Sequence, residues 1–386
     1  MNRIILNLPA LQHNLQTISH WMDLRESAWT VVTKVLCGHE ETLRALQILG
    51  VRSMGESRLE NLEVIRRVVP EIETWFLRVP NLSEVEAVVA LSDVSLNSEL
   101  ELIHLLNEEA AKQGKKHGVI IMIELGDLRE GILPGTLVQF YKQVFTLPHI
   151  DVLGIGANLG CLVGSVPTVD QFMQLVLYRE LLELKFERKL RMVSAGASSA
   201  LPLALDNQLP KAANHFRIGE ALFLGTDLIH GGTLPGLRSD TVVLEAEIVE
   251  IKRKSLVPLV ETSNVAPFQF EGAQNPQELS PGQRGYRALV SVGHLDTDVT
   301  GLVPENPHHR IAGASSDIMV VNLGDEPGDY RVGDRLRFRL NYAAMLRLMG
   351  GKYVEKAVYP DLDKFRQQLD VDKGTEVAPV LDLVAE

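Results

Sequence analysis

The sequence predicts an α/β protein: a (β/α)8 barrel of the TIM type followed by a mainly β C-terminal domain. Three observations lead there. Between Trp29 and Gly225, short apolar runs alternate with stretches whose apolar residues recur at helical spacing, the pattern of parallel strands joined by crossover helices. The runs number eight, and eight such strands with helices outside close a barrel. From about Leu237 the pattern changes to alternating β segments without long helices.

In chain order, Leu8–Trp21 reads as a helix ahead of the first strand. The barrel strands are expected at Trp29–Val35, Val51–Glu56, Glu73–Val79, Asp93–Asn97, Val119–Leu125, Val152–Ala157, Leu190–Ala195 and Phe216–Leu224. Helical spacing marks Glu40–Gly50, Ser83–Leu91, Glu99–Gln113 and Val169–Phe186 between them. Residues 1–236 thus form the barrel and 237–386 a β-rich domain with segments Thr241–Lys252, Tyr286–Val292, Ile311–Leu323 and Arg335–Leu340. Glu261–Gln283, rich in Pro, Gly, Gln and Asn, is expected to be a long exposed loop. The charged tail after Asp361 is expected to pack weakly.

Composition narrows the function. At 386 residues the chain is too long for one ordinary domain, and 45% hydrophobic with 23% charged residues is the balance of a soluble globular protein. A formal charge of −12 argues against nucleic acid and anionic membrane as partners, because both select basic surfaces. Met1–Leu11 lacks the apolar core of a secretory leader, and Cys37 and Cys161 are far apart, so a cytoplasmic protein with free thiols is expected. No run approaches the ~20 apolar residues of a membrane span. Clustered cysteines that would hold a metal are missing, and no metal site is expected.

Chemistry enters with Lys34. It closes the apolar run Trp29–Val35, and an amine at the end of a first barrel strand points into the mouth where such barrels keep their reactive groups. There it can form a Schiff base with a carbonyl ligand. Taken alone it would read as a solvated surface lysine. The later strand ends change that reading, delivering Glu56-Ser57-Arg58, Arg78, Asn97, Glu124 with Arg129, Asn158, Ser194 to Ser199, and Arg217 to Glu220. Gly196 to Ser199 is a small-residue turn opening a helix, where backbone N–H groups and two hydroxyls make an anion seat, and Gly219 repeats the theme. Barrels of this kind recurrently place phosphate at the loops after strands seven and eight. An amine opposite a phosphate seat suggests one ligand carrying both an aldehyde and a phosphate, pyridoxal 5′-phosphate.

At these residues the chain resembles the pyridoxal-phosphate racemases with an alanine-racemase-like barrel, and within them the ornithine/amino-acid racemase branch. The resemblance runs from Leu6-Asn-Leu-Pro-Ala-Leu-Gln-His-Asn14 to Tyr353. It includes Val-Thr-Lys34-Val-Leu-Cys, Gly55-Glu-Ser-Arg-Leu-Glu-Asn61, Gly156-Ala-Asn-Leu-Gly-Cys161, Gly196-Ala-Ser-Ser-Ala-Leu201 and Asn214-His-Phe-Arg-Ile-Gly-Glu-Ala221. In the second domain it includes Gly293-His-Leu-Asp296, Gly313-Ala-Ser-Ser-Asp317 and Leu340-Asn-Tyr342. It implies that Lys34 holds the cofactor covalently and that Arg217 faces the pyridine nitrogen. Arg129 then lies near the phenolic oxygen, Asn158 beside the ring, and Ser198 or Ser199, Gly219 and Tyr342 around the phosphate. A homodimer with shared active sites is implied too, the second domain reaching across to the partner's barrel. Two positions depart from the pattern: Gly38 stands where alanine racemases carry a tyrosine, and Gly293-His294-Leu295-Asp296 replaces a Gly-Tyr-x-Asp segment.

Racemisation removes the Cα proton from one face and returns it to the other, so two acid–base groups are expected, Lys34 and His294, the latter an imidazole suited to proton exchange near neutral pH. A guanidinium only donates, so Arg217 opposite the pyridine nitrogen keeps that nitrogen unprotonated. Three other readings compete: a cofactor-binding homeostasis protein without turnover, a lyase or decarboxylase on the same scaffold, and a Schiff-base aldolase using Lys34 alone. The substrate, by the same resemblance, is ornithine or another basic amino acid, with Asp296, Asp298 and Glu220 as acids able to pair with a distal amine.

Overall fold

The computed structural model describes residues 2–160, 162, 164–257 and 282–375. Cys161 and the expected loop from Glu261 to position 281 lie outside the described residues; Cys37 is a free thiol.

The chain opens with a strand that the sequence reading did not anticipate, β1 (Arg3–Asn7), running into α1 (Leu8–Leu24). Asn7 Oδ1 accepts the Ala10 N–H at 3.3 Å and Pro9 occupies the first turn, so the strand-to-helix change is fixed by a cap and by a residue preset for helix entry. The barrel follows as β2 (Ala28–Val32), α2 (Glu40–Ile48), β3 (Ser53–Glu56), α3 (Leu59–Val68), β4 (Glu73–Phe76), α4 (Val85–Leu91), β5 (Val94–Asn97) and α5 (Leu100–Lys112). It continues with β6 (His117–Met122), α6 (Leu137–Val144), β7 (Ile150–Gly156), α7 (Val169–Phe186), β8 (Met192–Ala197), α8 (Leu201–Leu205), β9 (His215–Ile218) and α9 (Glu220–Leu224). Strands β2 to β9 pair in parallel and close, β9 onto β2.

Two expected runs end earlier than their apolar content suggests. The first strand stops at Val32, leaving Lys34 on a 3-10 turn, Lys34–Leu36. The eighth breaks at Gly219 into a strand and a helix, both buried, which is why one continuous apolar run covers them.

Trp75, Val94, Leu96, Ile120, Met122 and Leu153 form a core of their own on strands β4 to β7. Trp75 stacks on His215 of β9, ring centroids 4.6 Å apart, which carries that core across the barrel interior. Close strand contact requires glycine here: a Cβ at Gly154 would stand 1.9 Å from the Met192 carbonyl oxygen.

The second sheet comprises β10 (Val242–Ser255), β11 (Arg284–Val290), β12 (Leu302–Pro304), β13 (Arg310–Ala314), β14 (Met319–Gly324) and β15 (Arg335–Leu340). They lie in the order β12-β15-β10-β11-β14-β13. The expected segment Ile311–Leu323 is a hairpin: β13 and β14 pair antiparallel around a turn in which Ser315 N–H donates to the Ile318 carbonyl at 2.7 Å. Then come α10 (Tyr342–Gly350), β16 (Glu355–Tyr359) and α11 (Leu362–Thr375). The tail after Asp361 was expected to pack weakly; it begins instead as a helix with Phe365 buried.

β1 lies between β10, antiparallel, and β16, parallel, so residues 3–7 belong to the second sheet and not to the barrel that a division at 236 assigns them. Asn14, fully buried on α1, ties the two parts together. Its amide donates to the carbonyls of Leu222 and Arg238 and to Thr241 Oγ1, while its oxygen accepts the Arg238 N–H at 2.7 Å.

Replacing Gly154 with alanine is expected to destabilise the protein by about 3 kcal/mol through overpacking against backbone. Gly135→Ala, where an added Cβ meets nothing within 4 Å, is the control and should stay within about 0.5 kcal/mol of wild type in denaturant titrations.

Candidate active site

At the C-terminal end of the barrel a cavity of 310 Å³ opens. Lys34 reaches it from the turn after β2, where a left-handed Cys37 (φ 48°) closes the turn. Arg129 comes from the loop after β6, Asn158 from the loop after β7, Ser198 and Ser199 from the turn after β8, and Arg217 and Gly219 from the end of β9. Tyr342, at the start of α10, completes the wall. Asn341 caps that helix by accepting the Ala344 N–H at 2.9 Å, and the Tyr342 ring centroid lies 6.0 Å from Lys34 Nζ. Tyr342 therefore meets Lys34 within one chain, although it comes from the second domain.

Arg217 is the most constrained of these groups. One terminal nitrogen donates to the Ser194 carbonyl (2.6 Å) and Oγ (2.5 Å), the other to the Ala157 carbonyl and Asn158 Oδ1, both at 2.9 Å. Because a guanidinium cannot accept, Ser194 Oγ is the acceptor of that bond, and the same oxygen meets His215 Nδ1 at 2.8 Å. Complete burial, with help from Arg217, pushes the His215 imidazole down to about 3, so it is neutral. On its other side His215 Nε2 meets Thr30 Oγ1 at 3.1 Å, and Thr30 meets Ser53 Oγ at 2.8 Å. A chain of hydrogen bonds thus runs from the cavity down the barrel interior.

Asn158 also donates to Glu130, which binds Arg129 as well. Glu130 braces two cavity residues and was missed in the sequence, where only its position next to Arg129 marks it. Other strand-end groups prove structural. Arg78 pairs with Glu84 at 2.7 Å, Asn97 donates to Ser95, and Glu124 accepts the Leu128 and Arg129 N–H groups of its own loop. Ser199 Oγ donates to the Leu159 carbonyl, and Ser198 Oγ accepts the Ala221 N–H.

His294 is not among the lining residues. It sits half-buried in the loop after β11, its N–H donating to the Ser315 carbonyl at 3.1 Å.

Two carboxyls near Lys34 are displaced toward neutrality. Burial lifts Glu56 to about 7 against the pull of the Ser57 N–H, the Asn61 amide and Lys34. Burial lifts Glu220 to about 7 as well, with Lys34 opposing. Glu56 Oε1 accepts the Ser57 N–H at 2.6 Å, while Oε2 is buried without a hydrogen-bond partner among the described residues.

The sequence and the closed (β/α)8 barrel together are those of the racemase class of enzymes. Residues 6–227 match the family model for the alanine racemase N-terminal domain. The chain is 33% identical to ornithine racemase of Acetoanaerobium sticklandii, over 92% of this chain and 98% of that protein. It is 30% identical to lysine racemase of Thermotoga maritima, over 93% and 99%. In fold it is similar to the crystal structure of alanine racemase from Bartonella henselae with covalently bound pyridoxal phosphate: TM-score 0.68, 15% identity, 92% of this chain and 98% of that one. The chain belongs to the alanine racemase family.

A carboxyl whose folded pKa lies above its unfolded value binds more protons in the native state, so Glu56 lowers stability as pH rises from about 4.5 to about 7. Glu56→Gln removes that cost. The variant should match wild type near pH 4 and exceed it by on the order of 2 kcal/mol at pH 8, read from paired denaturant titrations.

Proposed function

We propose that the protein is a pyridoxal 5′-phosphate-dependent amino-acid racemase, acting as a cytoplasmic homodimer on ornithine or another basic amino acid. The observation that carries this reading is the gathering of Lys34, Arg217, Asn158, Ser198, Gly219 and Tyr342 around one cavity. These residues fit the cofactor's chemistry. A primary amine is available for an aldehyde, hydroxyls and a tyrosine stand where a phosphate would be held, and a buried guanidinium that only donates suits a ring nitrogen that accepts.

When bound, pyridoxal phosphate supplies the electron sink that makes the Cα proton removable. Lys34 would hold it covalently, and its amine, once released by the incoming substrate, would move the proton on one face. The partner subunit's His294 is the group assigned to the opposite face. In a single chain His294 lies off the cavity, which is the position a residue needs if it serves the neighbouring site. Arg217, which can only donate, would face the ring nitrogen of the bound cofactor and leave it unprotonated, which would favour return of the proton to Cα. The two similar racemases are named for ornithine and lysine, whose side chains end in a second amine, and this supports a basic substrate.

Purified protein supplied with the cofactor should show an absorbance band near the visible edge that shifts with borohydride, and Lys34→Ala should lack it. Single enantiomers incubated in heavy water should gain Cα deuterium with inversion, read by NMR, and Lys34→Ala should slow this by at least about 10³-fold. Exchange without inversion would point to another reaction. Arg217→Glu should raise the transamination half-reaction relative to racemisation by about tenfold; an unchanged ratio in folded variant would refute the role given to Arg217.

A further inference from the structure

Among the described residues, Glu220 is the one acid lining the cavity, alongside three cations, Lys34, Arg129 and Arg217. The two guanidiniums already have oxygen acceptors: Arg129 in Glu130, and Arg217 in Ser194, Ala157 and Asn158. The Glu220 carboxylate makes no hydrogen bond or ion pair among the described residues. It stands half-buried beside Gly219 and lines the cavity, where the group its carboxylate would favour is a cation. A carboxyl taken out of water without a partner is costly unless a ligand brings the missing charge. Burial accordingly holds it near neutrality, and a cation arriving beside it would draw it back to the carboxylate.

The other two acids considered for a basic substrate are engaged in their own loop. Asp296 accepts the Gly293 N–H at 3.0 Å, and Asp298 accepts the Thr300 N–H at 3.2 Å and the Thr300 hydroxyl at 2.7 Å. Neither lines the cavity.

We propose that Glu220 is the specificity-determining residue of this site, its carboxylate receiving the side-chain ammonium of a diamino acid whose α-carbon is presented to Lys34. The assignment rests on the racemase reading above and narrows it to substrates carrying a terminal primary amine.

The test compares holoenzyme wild type, Glu220→Gln and Glu220→Asp on L-ornithine and on L-norvaline, which has the same carbon chain without the amine. Melting temperatures confirm that each variant folds, and calorimetry gives ornithine binding independently of turnover. Wild type should prefer ornithine in kcat/KM. Glu220→Gln should reduce that preference by about 30-fold, mainly through KM, with weaker ornithine binding, and Glu220→Asp should restore part of both. A wild type without preference for ornithine, or an unchanged preference in Glu220→Gln, overturns the assignment while leaving racemisation intact. Glu220-dependent ornithine binding by a protein that inverts no amino acid refutes the racemase reading and upholds the carboxylate's role. Absence of both binding and inversion overturns the two together.

Discussion

A permanent cation buried at the rim of a barrel must be surrounded by oxygen, and the way Arg217 satisfies this requirement organises the site. Its acceptors come from within β8 and from the residues just beyond β7, so the guanidinium bridges consecutive elements instead of resting on its own. Beneath it a hydrogen-bonded path continues through Ser194, His215, Thr30 and Ser53. The barrel interior is therefore layered. Trp75 and its apolar neighbours fill one part, and a neutral histidine stacked on that tryptophan carries the polar thread past them.

The rim is completed from outside the barrel. Lys34 is placed by a 3-10 turn, and α10 lies against that turn, bringing Tyr342 over the amine and the Leu346 carbonyl within reach of Cys37 Sγ. The second domain is thus part of the wall and not an appendage. Glu56, and Glu220 within the cavity, are both lifted toward neutrality by burial, with the Lys34 amine pulling the other way.

Much of this was legible in the residues. Alternation of apolar runs with helical spacing identified the eight strands, because parallel barrel strands are buried on both faces and stand out as short hydrophobic blocks. The cavity residues were legible because a barrel's topology turns sequence order into spatial convergence: a polar group just past each strand falls at one mouth whatever its separation along the chain. What escaped was set by pairing at long range. β1 is an ordinary Arg-Ile-Ile-Leu-Asn run whose partners lie more than two hundred residues away, and no local signal names them. Glu130, Asn14 and the interior path through Ser194 and His215 were hidden for the same reason, since a lone polar residue reads identically whether it braces a neighbour or faces water. The hairpin in Ile311–Leu323 was missed because the turn it makes is short and both arms are apolar.

The seam formed by residues 3–7 with 242–245 and 355–359 has a consequence for biogenesis. As the polypeptide leaves the ribosome, β1 is made before either of its neighbours; one arrives after the whole barrel sequence has emerged and the other only near residue 359. Closing so large a loop is entropically slow. Until it closes, an aliphatic edge stays open to the wrong strand, so maturation of this fold is paced by its late-synthesised segment.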